Sequence, residues 1–287
     1  MPAGRQDRRS PRERIGDELF ARIAGPRGRA VRERIHSTPG PRWFGPGCEI
    51  RTVHGDAAMF VGGLAALLLQ SLHPVAMAAV ADHSGFRGDP WGRLQRTSTF
   101  LAVTTFGTAA DAQAAVDRVR AVHARIRGTT PQGQPYRADD PHLLGWVHAA
   151  QTHCFLRAHQ TYGRAPLDPA GRDRYVAEAA RVAIALGAED PPRSEAALDA
   201  RLTAYLPELA QSVQARSAAR FLLLRPPVPV AVLPAYAALA AAAVALLEPQ
   251  HRRLLGLPAT GLIDVVARPF GCAMVRTVRW AMPPPRI

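Results

Sequence analysis

The sequence has 287 residues, 47% of them hydrophobic, which is enough for one large domain or two small ones with a sizeable core. Its 36 basic residues are all arginine and outweigh 23 acidic ones, for a formal charge of +13. Exclusive arginine with abundant Ala, Gly and Pro reads as the imprint of a GC-rich genome, so the charge alone does not make a nucleic-acid binder.

Cys48, Cys154 and Cys272 lie far apart with no Cys-x-x-Cys pair, which argues against a disulfide framework or a zinc knuckle. The first twenty residues are charged throughout and lack the apolar run of a signal peptide, so a reducing, cytoplasmic setting is expected.

Residues 1–50 are rich in Arg, Pro and Gly, with a short amphipathic stretch at 18–23 and a turn-prone segment at 39–47. They read as an arm or lid ahead of a helical domain over 51–287. Residues 57–80 are apolar but broken by Gly62, Gly63 and the His73-Pro74 pair, which predicts two buried helices after an Asp56 cap. A helix over 93–103 would put Arg93, Arg96 and Thr97 on one face. Thr108 caps a further helix in which Val116, Val119, His123 and Ile126 follow helical spacing, with Gly128 as its stop and His123 on the apolar side.

Residues 130–141 read as a loop ending in Asp139, Asp140 and Pro141, the cap and first turn of a helix that carries His148, His153 and His159. Another helix starts at Asp168-Pro169, and one more spans 194–206. The apolar stretch 226–247 is interrupted by Pro229 and Pro234. About a dozen unbroken residues fall short of the roughly 20 that span a bilayer, so a buried or interfacial helix is expected. No strand alternation or hairpin signal stands out, and the fold class is all-α.

The densest chemistry lies in residues 55–128. An imidazole at His123 with Arg120 and Arg127 a turn to either side suits a planar ligand whose carboxylates meet arginine, against the bland reading of a core histidine between solvated arginines. Arg93, Arg96 and Thr97 offer cations and a hydroxyl to bound dioxygen, or else form a surface patch paired with Asp82 or Asp89. Spacings of five and six keep His148, His153 and His159 off a common face and no HExxH accompanies them, which disfavours a dedicated zinc or di-iron site. His148 remains the second candidate for an axial ligand, and His73 and His83 read as structural. No G-x-S-x-G, GxGxxG or P-loop occurs.

The segments LLLQSLHPVAMAAVADHSGFRGDPWGRLQRTSTFLAVTTFGT, RVRAVHARIRG, YRADDPHLLGWVHAA and YGRAPL, spread from about residue 55 to the C-terminus, resemble the MpaB-type oxygenase domain family, which includes the rubber oxygenases called latex-clearing proteins. The resemblance implies a multi-helix, globin-like domain around a buried b-type haem, with a histidine on the iron and dioxygen activated on the opposite face. His123 matches the family's V/M-H-A-x-(V/I)-R motif and is the implied metal ligand. Arg93, Arg96 and Thr97 match the Arg-x-x-Lys/Arg-Thr cluster of the distal side, and Arg93, Arg120 and Arg127 would hold propionates or the pocket.

Arg96 stands where the rubber-cleaving members carry lysine, and a guanidinium cannot act as an iron ligand as a deprotonated lysine can. The expected substrate is therefore a small apolar molecule such as a lipid, terpenoid or other secondary metabolite, with dioxygen as co-substrate and no nucleic acid. The rival expectation is a non-catalytic haem- or lipid-binding protein that touches membranes peripherally through its basic arm and residues 226–247.

Overall fold

A computed structural model describes residues 28–83, 89–226 and 228–282, together with 16, 20, 21 and 25. The expected 18–23 helix falls, apart from residues 20 and 21, outside the described residues. In chain order come α1 (Gly28–Ser37), α2 (Glu49–Gly55), α3 (Met59–Gln70), α4 (Pro74–His83), α5 (Pro90–Phe106) and α6 (Ala109–His123). A two-stranded antiparallel hairpin follows, β1 (Arg127–Thr129) and β2 (Pro135–Arg137). Then come α7 (Pro141–Tyr162), α8 (Pro169–Leu186), α9 (Glu195–Tyr205), a 3₁₀ turn Leu206–Glu208, α10 (Val213–Leu224), α11 (Leu233–Ala245), α12 (Pro249–Leu254) and α13 (Leu262–Ala281). The fold is all-α, as its residue patterns imply.

The core forms around α3, whose MFVGGLAALLLQ sequence is apolar on every side and buries Val61, Leu64, Ala65, Leu68 and Leu69. A helix without a polar face must be covered all round, and α7 and α11 both pack on it. Gly62 makes the α7 contact possible: a Cβ there would sit 3.0 Å from the Phe155 ring and 3.1 Å from both Ala158 Cβ and the Cys154 carbonyl. At the other end of the pair, Trp146 Nε1 donates to the Gln70 carbonyl (3.2 Å) and Gln70 Nε2 donates to the Val147 carbonyl (3.1 Å). Both the helices and their direction are thereby fixed, antiparallel.

Side-chain caps set several of the helix starts. Asp140 accepts from the His142 and Leu143 amides ahead of Pro141, Asp168 accepts from Gly171 ahead of Pro169, and Thr108 accepts from Asp111. Each satisfies orphan N–H groups of a first turn. Asp89 does the same for Gly92, with Pro90 at the first helical position, so α5 starts three residues before the expected Arg93.

The strand pair is a departure from the sequence reading. The helix of His123 ends there rather than at Gly128, and the chain turns back through Thr130–Gly133, with Gly133 at φ +83° where a side chain would be strained. Three residues a side are too short to show alternation. Phe44 and Ile50 are buried in the same core as α3, so packed structure begins ahead of residue 51.

The apolar 226–247 stretch becomes a 3₁₀ turn (Val230–Val232) and the 13-residue α11, which buries Ala240, Ala242, Ala243 and Val244. Among the described residues no single helix is long and apolar enough to cross a membrane. The pair α2 and α3 reaches that composition only together, across a 92° bend. The C-terminal helix is clamped by Arg279, which donates to Asp56 Oδ1 (2.7 Å) and to the Tyr162 carbonyl (3.0 Å).

Candidate active site

A two-residue link makes α5 and α6 a helical hairpin. From Arg93 to the turn at Gly107 is about 21 Å along α5, and from the turn to His123 about 22 Å along α6. The two helices pack on each other, and His123 stands at the end of α6 far from the turn. The short sheet closes this end, with Tyr136 donating to Asp82 Oδ2 at 2.7 Å and stacking edge-on with His83, 6.2 Å between ring centres. Arg137 pairs with Asp139 at 3.2 Å, and Asp139 in turn acts electrostatically on His123.

His123 is the last residue of α6 and half-buried. Burial lowers its pKa, with Asp139 opposing, and its Nδ1 is buried without a hydrogen-bond partner among the described residues. A neutral imidazole with an idle buried nitrogen is the donor a metal centre requires. Arg93 is half-buried, its pKa lowered by burial and then by the neighbouring charge of Arg96. Arg96 and Thr97 are exposed, and Arg96 Nη1 pairs with Asp89 Oδ2 at 3.2 Å.

Helical spacing thus brings Arg93 and Arg96 together. Arg120 instead reaches to α8, donating to the Ala185 carbonyl at 3.1 Å, and Arg127 is exposed in β1 opposite Arg137. His148 faces α9: its Nδ1 lies 3.4 Å from Thr152 Oγ1, its Nε2 is buried without a partner among the described residues, and burial followed by Arg201 pushes its pKa to about 4.

Three further groupings carry no signal in sequence spacing. His54 is wedged between Phe155 and Tyr175, with Nδ1 2.8 Å from Thr105 Oγ1, and burial drives its pKa to about 3. A cleft of 440 Å³ opens between α7, α9 and α12, lined among others by His153, Arg157, Asp199, Glu248 and His251, away from the residues the motifs single out. His73, His142 and Glu208 come from three separate elements and place their ligand-type atoms within 4.8 Å of one another.

These features define an all-helical protein with neutral, buried histidines able to take a metal or prosthetic group. Residues 51–280 match the family described as "ER-bound oxygenase mpaB/B'/Rubber oxygenase, catalytic domain", and the chain belongs to that family. It carries the domain of an oxygenase family.

Among curated proteins, uncharacterised proteins of Mycobacterium bovis and of Mycobacterium tuberculosis are each 35% identical over 98 residues, 34% of this chain. The match spans 38% of the length of either relative. No solved structure matches the chain.

Proposed function

We propose that the chain is a haem b-dependent oxygenase of an apolar small molecule, a lipid or terpenoid-like substrate, with His123 as the iron ligand. The observation that supports this most is the buried, partnerless Nδ1 of His123 in a domain of an oxygenase family. When bound, haem supplies the iron at which dioxygen is activated. Burial keeps the His123 lone pair from being lost to a proton.

Arg93, already partly out of water, can meet a propionate-type carboxylate by charge-assisted hydrogen bonds. Arg96, if released from Asp89, and the exposed Thr97 hydroxyl would be the hydrogen-bond donors this helix offers to dioxygen. Both partners of the Arg96–Asp89 pair are largely exposed, 65% and 62%, so releasing it costs no more than about 1 kcal/mol.

The test is oxygen consumption by haem-loaded protein with a panel of apolar substrates. Arg96→Ala should retain the haem spectrum and lose turnover; unchanged turnover removes Arg96 from the mechanism.

A peripheral membrane role has its own support. On α13, Val265, Val266 and Phe270 are 72%, 52% and 61% exposed, with Arg268 and Arg276 exposed on the same helix. Apolar groups flanked by arginines suit an anionic lipid surface. Flotation with phosphatidylserine vesicles, lost in Phe270→Asp, is the expected result; recovery of the wild type in the protein-only fraction excludes it.

A further inference from the structure

His73 ends the α3–α4 turn, His142 sits in the first turn of α7, and Glu208 closes the 3₁₀ turn after α9. The sequence separates them by more than sixty residues, yet the fold aims both imidazole Nε2 atoms at one carboxylate. His73 Nε2 is 3.2 Å from Glu208 Oε2, and His142 Nε2 is 2.9 and 2.8 Å from Oε1 and Oε2.

The scaffold behind them is rigid. The Ala210 amide donates to the Leu72 carbonyl at 3.0 Å, fastening the Glu208 segment beside His73. Tyr205 donates to the His142 carbonyl at 2.8 Å. The Trp146 and Tyr205 rings wall the site, with centroids 5.9 and 6.4 Å from that of His73.

We propose that His73 Nε2, His142 Nε2 and the Glu208 carboxylate form a binding site for a divalent transition-metal ion of the zinc class, additional to the His123 centre and independent of the haem reading. Two ligands each about 2.1 Å from an ion lie roughly 3.0 to 3.4 Å apart at octahedral or tetrahedral angles. The His73–Glu208 separation of 3.2 Å lies inside that range, the His142–Glu208 separations of 2.9 and 2.8 Å lie just below it, and all the ligand atoms lie within 4.8 Å of one another, so an ion between the three groups needs only a small adjustment of the side chains.

Two imidazoles and one carboxylate are a ligand set for zinc, cobalt or ferrous ions and a poor one for calcium or magnesium. His73 is buried, whereas His142 and Glu208 have side chains 57% and 38% exposed. One side of the site is thus open to solvent for a fourth ligand or for entry of the ion.

Bound His73 must carry its proton on Nδ1. The Ala76 amide donates to that atom at 3.5 Å, a long contact that binding would give up, and the ring also reaches its own backbone carbonyl, which can accept the proton. The ion would tie the α3–α4 turn, the start of α7 and the end of α9 at one point.

The test is titration of full-length protein, freed of metal by chelation, with Zn²⁺ by calorimetry and with Co²⁺ by visible absorption. One ion per chain is expected, with a raised melting temperature in its presence. Affinity should fall at least about tenfold in His142→Ala and in Glu208→Gln, and should be unchanged in His123→Ala. Both replaced side chains are partly exposed, and circular dichroism checks that the variants fold. Absence of stoichiometric binding in the wild type overturns the assignment and leaves two histidines hydrogen-bonded to Glu208. Wild-type affinity in Glu208→Gln overturns it as well, placing the ion elsewhere.

Discussion

Lowering the pH from 7.5 to 5.0 should remove about 6 kcal/mol of folding stability through three histidines alone. Burial depresses the pKa of His54 to about 3 and those of His148 and His153 to about 4, against about 6.5 in an unfolded chain. A depressed folded-state pKa means the unfolded chain takes up more protons. The stability is fully present above pH 6.5 and is lost as pH falls toward the folded values.

At pH 5.0 all three remain neutral when folded and are almost fully protonated when unfolded, so each costs about 1.4 kcal/mol per pH unit over 1.5 units, or about 2 kcal/mol. His73, His123, His159 and His251 shift in the same direction and add to the effect, whereas the raised Asp199 opposes it. Against a total stability of about 5–15 kcal/mol, a loss of this size brings the protein close to unfolding.

Urea denaturation at pH 7.5, 6.0 and 5.0, read by circular dichroism, measures it. His54→Gln, which retains hydrogen-bonding capacity toward Thr105 and Tyr175, should reduce the three-histidine dependence by about one third. A midpoint that stays constant across this range, or a His54→Gln variant with the wild-type slope, refutes the burial of neutral histidines.

Gly62→Ala places a methyl 3.0 Å from the Phe155 ring and 3.1 Å from a backbone carbonyl. A loss of about 1–3 kcal/mol is expected, seen as a melting point lower by roughly 2–4 °C per kcal/mol. Arg279→Met takes the guanidinium from Asp56, whose side chain is only 9% exposed and keeps bonds from the Ala58 and Arg164 amides, and should cost about 2 kcal/mol in chemical denaturation. Arg96→Ala, removing an exposed pair, should leave stability within about 0.5 kcal/mol, so a large loss in the same assay would show that Arg96 is structural.

Much of the fold is legible where the chemistry is local. Asp140-Pro141, Asp168-Pro169 and Thr108 announce their helices because a cap depends only on the next three residues. The unbroken apolarity of α3 likewise announces burial. The β-hairpin is hidden because three-residue strands cannot display a period, and the early start of α5 because Asp89 is a cap only in context.

For the site, helical spacing groups Arg93 with Arg96, and it is the motif resemblance that points to His123. Whether a neighbouring arginine faces the same way does not follow from spacing. Arg120 is one turn from His123 in sequence and bonds to α8 in space. The His73, His142 and Glu208 convergence is invisible in sequence because three elements distant along the chain create it.

The central claim rests on His123, and the most direct measurement is the visible spectrum of the haem-supplemented protein in its as-purified, ferrous and carbonylated states, for wild type and His123→Ala. A wild-type Soret band that His123→Ala loses or alters, with His148→Ala unaffected, is the expected result. No Soret band in the wild type, or a His123→Ala spectrum identical to it, contradicts the assignment.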